Sequence, residues 1–479
     1  MAVTDPNPTD GATLRVRFAP SPTGALHLGS AMVALANAAL AQAHGGAMVL
    51  RIDDTDAVRS TDAATADVLR LLEWLGVSWD EGPIHQRERG DRYSAAVLQL
   101  QQSEDAYPCF CSEDRLAELR ASQVAAGDPP RYDGRCRHLT RQERDAAIAD
   151  GAPHTVRFSI PADVTQVPVD DELRGRITVP ATAFGDPVLL RSDGSAGYLL
   201  ATVVDDLDLR IDLVLRGEDH LTNTARQLLL ATALLGMPPA LRFAHLPLLR
   251  GQDGRKLSKR DPLGTLDELV DEGFEPSTIR RFLFELLGQG PVDLFDSAAH
   301  GQFELARVPK AGAPRVDRTR LESLGREDIG SRSLEHIAAA TGIAIPSAAA
   351  PLVHELAAEA PTWHALRHEL ELVFEGPGAG DLPLLFTLVA PDAEQRGRWA
   401  AALHLAMRAF DDGAGPAQHL TAYRDAGTAA GFAVRELLQP LRVALTGSTS
   451  GPALDQVIAA IGTDAAAMRV QLAIEVLGH

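Results

Sequence analysis

The chain has 479 residues, 45% hydrophobic and 23% charged, with 65 acidic against 45 basic side chains and a formal charge of −20. That length corresponds to two to four domains at roughly 100–200 residues each, and the composition excludes a disordered or fibrous chain. The acid excess argues against loose, sequence-independent binding to nucleic acid, which needs clustered Lys and Arg, but it leaves room for one basic face on an acidic body.

Residues 1–13 read as a flexible tail rich in Pro, Thr and Asp. They lack the basic stretch and apolar core of a secretory leader. No segment approaches the ~20 apolar residues of a bilayer span. The expectation is a soluble, cytoplasmic protein with no membrane partner.

A buried strand is expected over 15–18, then the loop Pro20-Ser-Pro-Thr-Gly-Ala-Leu-His-Leu-Gly-Ser30, then a helix over about 27–43 that stops at Gly45-Gly46. A second strand follows at 47–52, and an amphipathic helix at 61–75 closes at Gly76. Strand–helix–strand–helix alternation is the pattern of a doubly wound parallel sheet, in which ligands bind beyond the carboxyl ends of the strands. His27 and Asp53 both fall there. From about 100 to 195 the pattern breaks into short strands and turns, read as an insertion. The sheet is expected to resume with strands at 199–204 and 213–216, followed by a helix at 222–235. Thr265-x-x-Glu268 reads as a capping box opening a short helix, and 278–287 also looks helical. From about 330 onward the chain is Ala- and Leu-rich with helical periodicity.

Three groups of residues carry chemistry. His27 and Gly29 stand at a helix start, where free N–H groups and the helix dipole favour phosphate; a cap and a turn are the plain alternatives. Lys256-Leu-Ser-Lys-Arg260 lies between glycines and would bring two cations from a remote loop; the plain alternative is a solvated face. The chain's three cysteines lie within 109–136, too few for a disulfide framework. Cys109-x-Cys111 and Cys136-x-His138 together offer the four N/S ligands of a closed structural zinc site, one Zn2+ per chain. Three buried thiols and a surface histidine are the alternative.

Taken together, these segments resemble the HIGH and KMSKS signatures of the class I aminoacyl-tRNA synthetases. Arg17-Phe-Ala-Pro-Ser-Pro-Thr-Gly24 resembles the glutamyl/glutaminyl branch closely, and the whole chain is similar to the bacterial glutamyl enzymes. The resemblance implies an α/β fold: a Rossmann-like parallel-sheet catalytic domain (14–100 and 196–245) carrying an inserted acceptor-end domain with the zinc site (101–195). A lysine loop and stem-contact helical region (246–329) and an all-α anticodon-binding region (330–479) would follow.

The resemblance also implies roles. His27 and Gly29 would hold ATP, with Ser258 and Lys259. Lys259, supported by Lys256, would stabilise the charge that gathers on the α-phosphorus and departing pyrophosphate. Arg17, Ala19, Ser21, Asp53, Tyr198 and Arg216 would bind glutamate. Asp53, in Arg51-Ile-Asp-Asp-Thr-Asp56, stands where relatives carry Glu and would take the substrate ammonium with a side chain one methylene shorter. Arg216 would pair with a side-chain carboxylate, which guanidinium suits because it is planar and permanently charged. Ala196-Gly-Tyr-Leu-Leu-Ala departs from the relatives' Pro-Thr-Tyr-Asn pattern around Tyr198.

The implied reaction is ATP-dependent attachment of L-glutamate to tRNA(Glu) through glutamyl-adenylate, with Mg2+ accompanying ATP and tRNA bound before activation. Tyr198 and the zinc site are carried over in the same way, as is a monomeric state; tRNA(Gln) is a second candidate acceptor. Pro440-Leu-Arg-Val-Ala-Leu-Thr-Gly447 is similar to a segment of the relatives' anticodon-binding region. A glutaminyl enzyme would carry β-barrels in place of the C-terminal helices, a truncated paralogue that modifies a tRNA base would lack the C-terminal half, and an inactive RNA-binding relative would not need His27, Gly29, Lys256 and Lys259 intact.

Overall fold

The computed structural model describes residues 13–56, 59–258, 261, 263–290, 303–310, 312–378, 380–390, 392–410 and 415–478. Residues 1–12 of the expected tail, and Lys259 with Arg260, lie outside the described residues. The chain divides into two compact units, one of residues 1–268 and 279–317 and the other of 269–278 and 318–479.

In the first unit, strands β1 (Arg15–Phe18), β2 (Ala47–Ile52) and β3 (Glu81–His85) alternate with helices α1 (Leu28–Ala43) and α2 (Asp62–Trp74). Helix α3 (Gly90–Gln102) leads into the insertion: β4 (Ala106–Cys109), α4 (Glu113–Ala126), α5 (Arg141–Ala149), β5 (Thr155–Phe158), β6 (Gln166–Asp171), β7 (Gly175–Pro180) and β8 (Val188–Leu190). Then come α6 (Tyr198–Asp208), β9 (Leu213–Gly217), α7 (Leu221–Leu235) and β10 (Arg242–Leu246). The main sheet runs β3-β2-β1-β9-β10-β6-β7, parallel except for the last pair, while β4-β5-β8 form a small antiparallel sheet.

The sequence chemistry accounts for these elements. Leu14, just before β1, and Val16 on it are fully buried, as are Leu28, Leu35 and Leu40 on α1, so the first strand and helix share one apolar layer. Thr61 caps α2 by accepting from the Ala64 N–H at 3.1 Å, worth about 1 kcal/mol. The return from α1 to β2 depends on Gly46, because a Cβ there would lie 2.1 Å from the Leu14 carbonyl oxygen. After β1 the chain winds one way to β2, and after β9 the other way to β10. The crevice at this reversal lies at the carboxyl ends of β1 and β9, where such sheets bind ligands.

One local expectation is corrected. Residues 199–204 form part of helix α6, not a strand. A short apolar run has no intrinsic preference between buried strand and buried helix, and Leu200, Val203, Val204 and Leu207 follow helical spacing. The second half of the sheet is therefore β9 and β10. The hairpin β6–β7 joins the edge of the main sheet, so residues within the inserted stretch extend that sheet.

The second unit contains ten helices among the described residues, from Arg318–Gly330 to Thr463–Leu477. Its core gathers Leu352, Leu370, Phe386, Trp399, Leu441 and Val470. Helices Pro416–Ala429 and Val434–Thr446 meet where a Cβ on Gly427 would lie 2.4 Å from the Leu437 side chain. The Pro440–Gly447 segment is the end of the latter helix, closed by Gly447 at φ 70°. No single helix among the described residues is long and apolar enough to cross a membrane.

Candidate active site and thiol cluster

A cavity of about 380 Å³ opens at the carboxyl ends of β1 and β9 in the first unit. Its walls include Arg17, Ala19, Ser21, His27 and Gly29 from the first loop, Asp53 from the end of β2, and Tyr198, Arg216 and Lys256 from the second half of the chain. The sequence-derived residues thus converge, apart from Ser258, which is not on the wall, and Lys259, which lies outside the described residues.

His27 is the residue before α1, with extended backbone (φ −67°, ψ 147°) and no side-chain cap of its own. Its Nδ1 lies 3.3 Å from the Gly264 carbonyl oxygen. The Leu28 N–H donates to the same oxygen at 3.2 Å, and the Leu266 N–H donates to the Leu26 carbonyl at 2.9 Å. The chain leaving the lysine loop therefore runs alongside the His27 segment, and the two remote motifs meet. A Cβ built on Gly29 meets no protein atom within 4 Å, so this face of the helix start is open. Lys256 Nζ donates to Asp219 Oδ2 at 2.9 Å, and both residues line the cavity. Ser258 turns away: its N–H and hydroxyl both donate to Asp261 Oδ2, at 2.6 and 2.7 Å.

The floor is a buried charge network. Arg51, fully buried, donates from Nε to Asp53 Oδ1 and from Nη1 to Asp206 Oδ1, both at 2.7 Å. Arg17 Nε donates to the same Asp206 oxygen at 3.3 Å. Asp205 takes the Arg89 Nε and the Tyr93 hydroxyl. Asp53 is thus tied to Arg51 while still lining the cavity. Burial pushes its carboxyl pKa up, against the pull of Arg51. The same burial is overcome at Asp206, whose pKa is held down by Arg17 and Arg51.

Arg216 has different surroundings. It is 6% exposed, and among the described residues no carboxylate oxygen lies within 4.0 Å of it. Its Nε donates to His245 Nε2 at 3.1 Å, and its Nη2 donates to Thr224 Oγ1 and Gln227 Oε1, both at 2.7 Å. Nη1 is buried and has no hydrogen-bond partner in the protein. Desolvation brings the pKa down to about 10, which still leaves the group charged at neutral pH. A buried cation held by neutral acceptors, with one nitrogen unsatisfied, is a receptor for an anion. Tyr198 places its hydroxyl 3.1 Å from His220 Nδ1. Burial, with the Arg216 charge, pushes the His220 pKa down to about 4, so this wall of the cavity adds no second cation near neutral pH.

Sequence reasoning missed Arg51, Asp205 and Asp206 as the floor, and Thr224, Gln227 and His245 as the cradle of Arg216. The Asp205-Asp206 doublet in an apolar stretch was a signal for the first. No local signal marks the second, because the cradle is assembled from α7 and β10.

The cysteines form a second constellation. The ligand atoms of Cys109, Cys111 and Cys136 all lie within 4.8 Å of one another. The Tyr132 hydroxyl oxygen stands 3.4 Å from Cys109 Sγ and 3.7 Å from Cys111 Sγ, and accepts from the Cys136 N–H at 2.9 Å. His138 is not in the group. Residues Arg135–His138 form a 3-10 turn that directs Cys136 inward and leaves His138 exposed, as expected when residues two apart differ by about 240°. Burial opposes the Cys109 thiolate, but hydrogen bonds from Tyr132, the Cys111 N–H and Arg157 outweigh it and bring the thiol down to about 7. Burial and the neighbouring sulfurs push Cys111 up to about 11. Three soft donors and a phenol oxygen around one point fit a tetrahedral thiophilic cation with no open position.

Residues 13–302 match the model for the catalytic domain of class I tRNA synthetases (E and Q), and residues 417–474 match an anticodon binding domain. The chain is 37% identical over 474 residues to a protein of Halorhodospira halophila named glutamate–tRNA ligase 1, covering 96% of this chain and 97% of that one. A glutamate–tRNA ligase of Synechococcus sp. JA-3-3Ab is 44% identical over 324 residues, 66% of each chain. Among solved structures, a glutamate tRNA ligase of Elizabethkingia meningosepticum in complex with its amino acid aligns with a TM-score of 0.76 at 26% identity, covering 97% of this chain and 99% of that one.

Proposed function

The chain belongs to the class I tRNA synthetases (E and Q), and from that premise we propose that it attaches L-glutamate to tRNA(Glu) in two ATP-dependent steps. The observation that carries the amino-acid assignment is Arg216, a buried guanidinium that among the described residues has no carboxylate partner and whose Nη1 is unsatisfied. The side-chain carboxylate of glutamate supplies the missing charge. Glutamine would leave the cation uncompensated, and unpaired buried charge is what such sites reject most strongly.

In the first step a glutamate α-carboxylate oxygen attacks the α-phosphorus of ATP. The bond to the β-phosphate oxygen breaks, and pyrophosphate leaves with its magnesium. No proton moves, so no general base is needed. His27 and the start of α1 hold the phosphates, and Gly29 lets adenine lie against the backbone. Lys256 and Lys259 meet the charge that builds on the leaving pyrophosphate, with Ser258 fixing the turn between them. Arg17, Ala19, Ser21 and Tyr198 complete the amino-acid pocket, and Asp53 takes the substrate ammonium. In the second step the terminal ribose hydroxyl of tRNA attacks the activated carbonyl carbon, the bond from that carbon to the phosphate oxygen breaks, and the hydroxyl proton leaves with the departing AMP.

Structural zinc is assigned to Cys109, Cys111 and Cys136. The position of Tyr132 favours its oxygen over His138 as fourth donor. Bound there, zinc would cross-link the insertion and supply no reactive site. The insertion is assigned to the acceptor end of tRNA, residues 246–329 to the lysine loop and stem contacts, and 330–479 to the anticodon. A cytoplasmic monomer is the matching physiological form, and tRNA(Gln) is a second acceptor to be tested alongside tRNA(Glu).

The test is pyrophosphate exchange in the presence of tRNA(Glu). Changing Lys259 to Ala should lower the exchange rate by on the order of 10²-fold while ATP binding changes little. Equal losses in both would remove the transition-state role of the loop.

A further inference from the structure

We infer that Asp171 and His245 are positioning residues for amino-acid selection: a buried carboxylate–imidazole pair that fixes the tautomer His245 presents to Arg216, and so fixes which guanidinium nitrogen is left for the substrate. The inference rests on Arg216 being the glutamate receptor and adds what aims it.

The pair is assembled by sheet register. His245 on β10 stands opposite Arg216 on β9, and the neighbouring β10 residue Phe243 stands opposite Asp171 at the end of β6. Both side chains are completely buried, with His245 Nδ1 2.5 Å from Asp171 Oδ2. Asp171 is itself fixed, because its Oδ1 accepts the backbone N–H groups of Leu173, Arg174 and His245 at 3.0, 2.8 and 3.3 Å. A carboxylate with this many donors stays ionised, and its pKa is lowered despite burial.

Hydrogen-bond directionality then leaves one arrangement. Arg216 Nε–H can only donate, so His245 Nε2 must be an unprotonated acceptor. The imidazole proton therefore sits on Nδ1 and is donated to Asp171. With Nε on His245 and both Nη2 protons on Thr224 and Gln227, every guanidinium donor except those of Nη1 is committed inside the protein. Arg216 lines the cavity, and Nη1 is the nitrogen it has left for a substrate. The ring of Phe243 stacks on His245 at 6.4 Å between centroids with planes 6° apart, which resists rotation of the imidazole. None of these residues need touch substrate, since they act through Arg216.

Asp171→Asn isolates this role, because its remaining oxygen can keep the backbone turn while its amide NH2 replaces the acceptor. That NH2 would donate to Nδ1, move the imidazole proton to Nε2, and set it against the Arg216 Nε–H. The expected result is a rise of about tenfold or more in KM for glutamate in tRNA aminoacylation, with KM for ATP and kcat changed less than about threefold, and a smaller preference for glutamate over glutamine. Histidine-selective 15N NMR should show the His245 proton on Nδ1 in the unaltered protein and on Nε2 in the variant. His245→Gln, which can offer an amide oxygen to Arg216 Nε, should recover part of the loss seen in His245→Leu.

An Asp171→Asn protein that melts like the parent yet keeps its glutamate KM and selectivity overturns the inference, as does a His245 proton found on Nε2 in the parent. If Arg216→Leu also leaves glutamate kinetics unchanged, the glutamate-receptor reading fails instead. The two failures are therefore distinguishable.

Discussion

The cavity at the strand ends and the thiol cluster of the insertion both collect groups that bind charge, but they hold those groups in different ways. In the cavity, Arg216 is braced by residues from two elements, α7 and β10, and Arg51 is neutralised by one carboxylate just after β2 and one on α6. In the thiol cluster the donors come from one short stretch, 109–136, and are turned inward by a strand end, a 3-10 turn and a tyrosine. The first region is set by long-range sheet register. The second depends on local turns, and a bound cation would lock it. On the proposed reading selectivity would belong to the sheet, and a metal at the thiols would serve the stability of the insertion.

Several substitutions would break or sharpen that contrast. The largest effect is expected at Arg216→Leu. Removing the cavity arginine that has no carboxylate partner among the described residues should raise KM for glutamate by on the order of 10²–10³-fold, about 3–4 kcal/mol, with ATP kinetics little affected. Steady-state aminoacylation checks it, and a change below about fivefold would take Arg216 out of the pocket. Next comes the thiol cluster. Tyr132→Phe removes the oxygen beside two sulfurs and should weaken zinc by roughly 10–100-fold in chelator competition, while His138→Ala leaves the affinity within about twofold. The reverse ranking would restore His138 as fourth donor. Smaller still is Lys256→Ala. Lys256 is an exposed cation already held by Asp219 at 2.9 Å, so adenylate formation should slow by only about tenfold. A loss as large as that of Lys259→Ala would make the two lysines equal partners.

The same contrast separates what was legible in the sequence. The segments Arg17–Ser30 and Leu215–His220 match motifs of the family, so the resemblance already implies a shared site for Arg17, His27, Gly29 and Arg216, and all four line one cavity. The alternation of 14–76 gives the parallel sheet, and helical periodicity gives the C-terminal unit. Where the answer depends on tertiary neighbours, spacing falls short. Residues 199–204 are apolar enough for either a strand or a helix, and the arginines met by Asp205 and Asp206 favour the helix. Cys136-x-His138 has zinc-ligand spacing, but a 3-10 turn sends the two side chains different ways, and Tyr132 occupies the place beside the sulfurs. His245 and Asp171 show no motif, since only the register β6–β10–β9 brings them to Arg216.

The central claim is that one braced arginine makes this cavity select glutamate for transfer to tRNA. Aminoacylation of tRNA(Glu) transcript with radiolabelled glutamate and glutamine, run side by side at matched concentrations, tests it most directly. The account predicts glutamyl-tRNA with glutamine charging at least ~10³-fold less efficient. Comparable charging with glutamine, or none with glutamate, would contradict it.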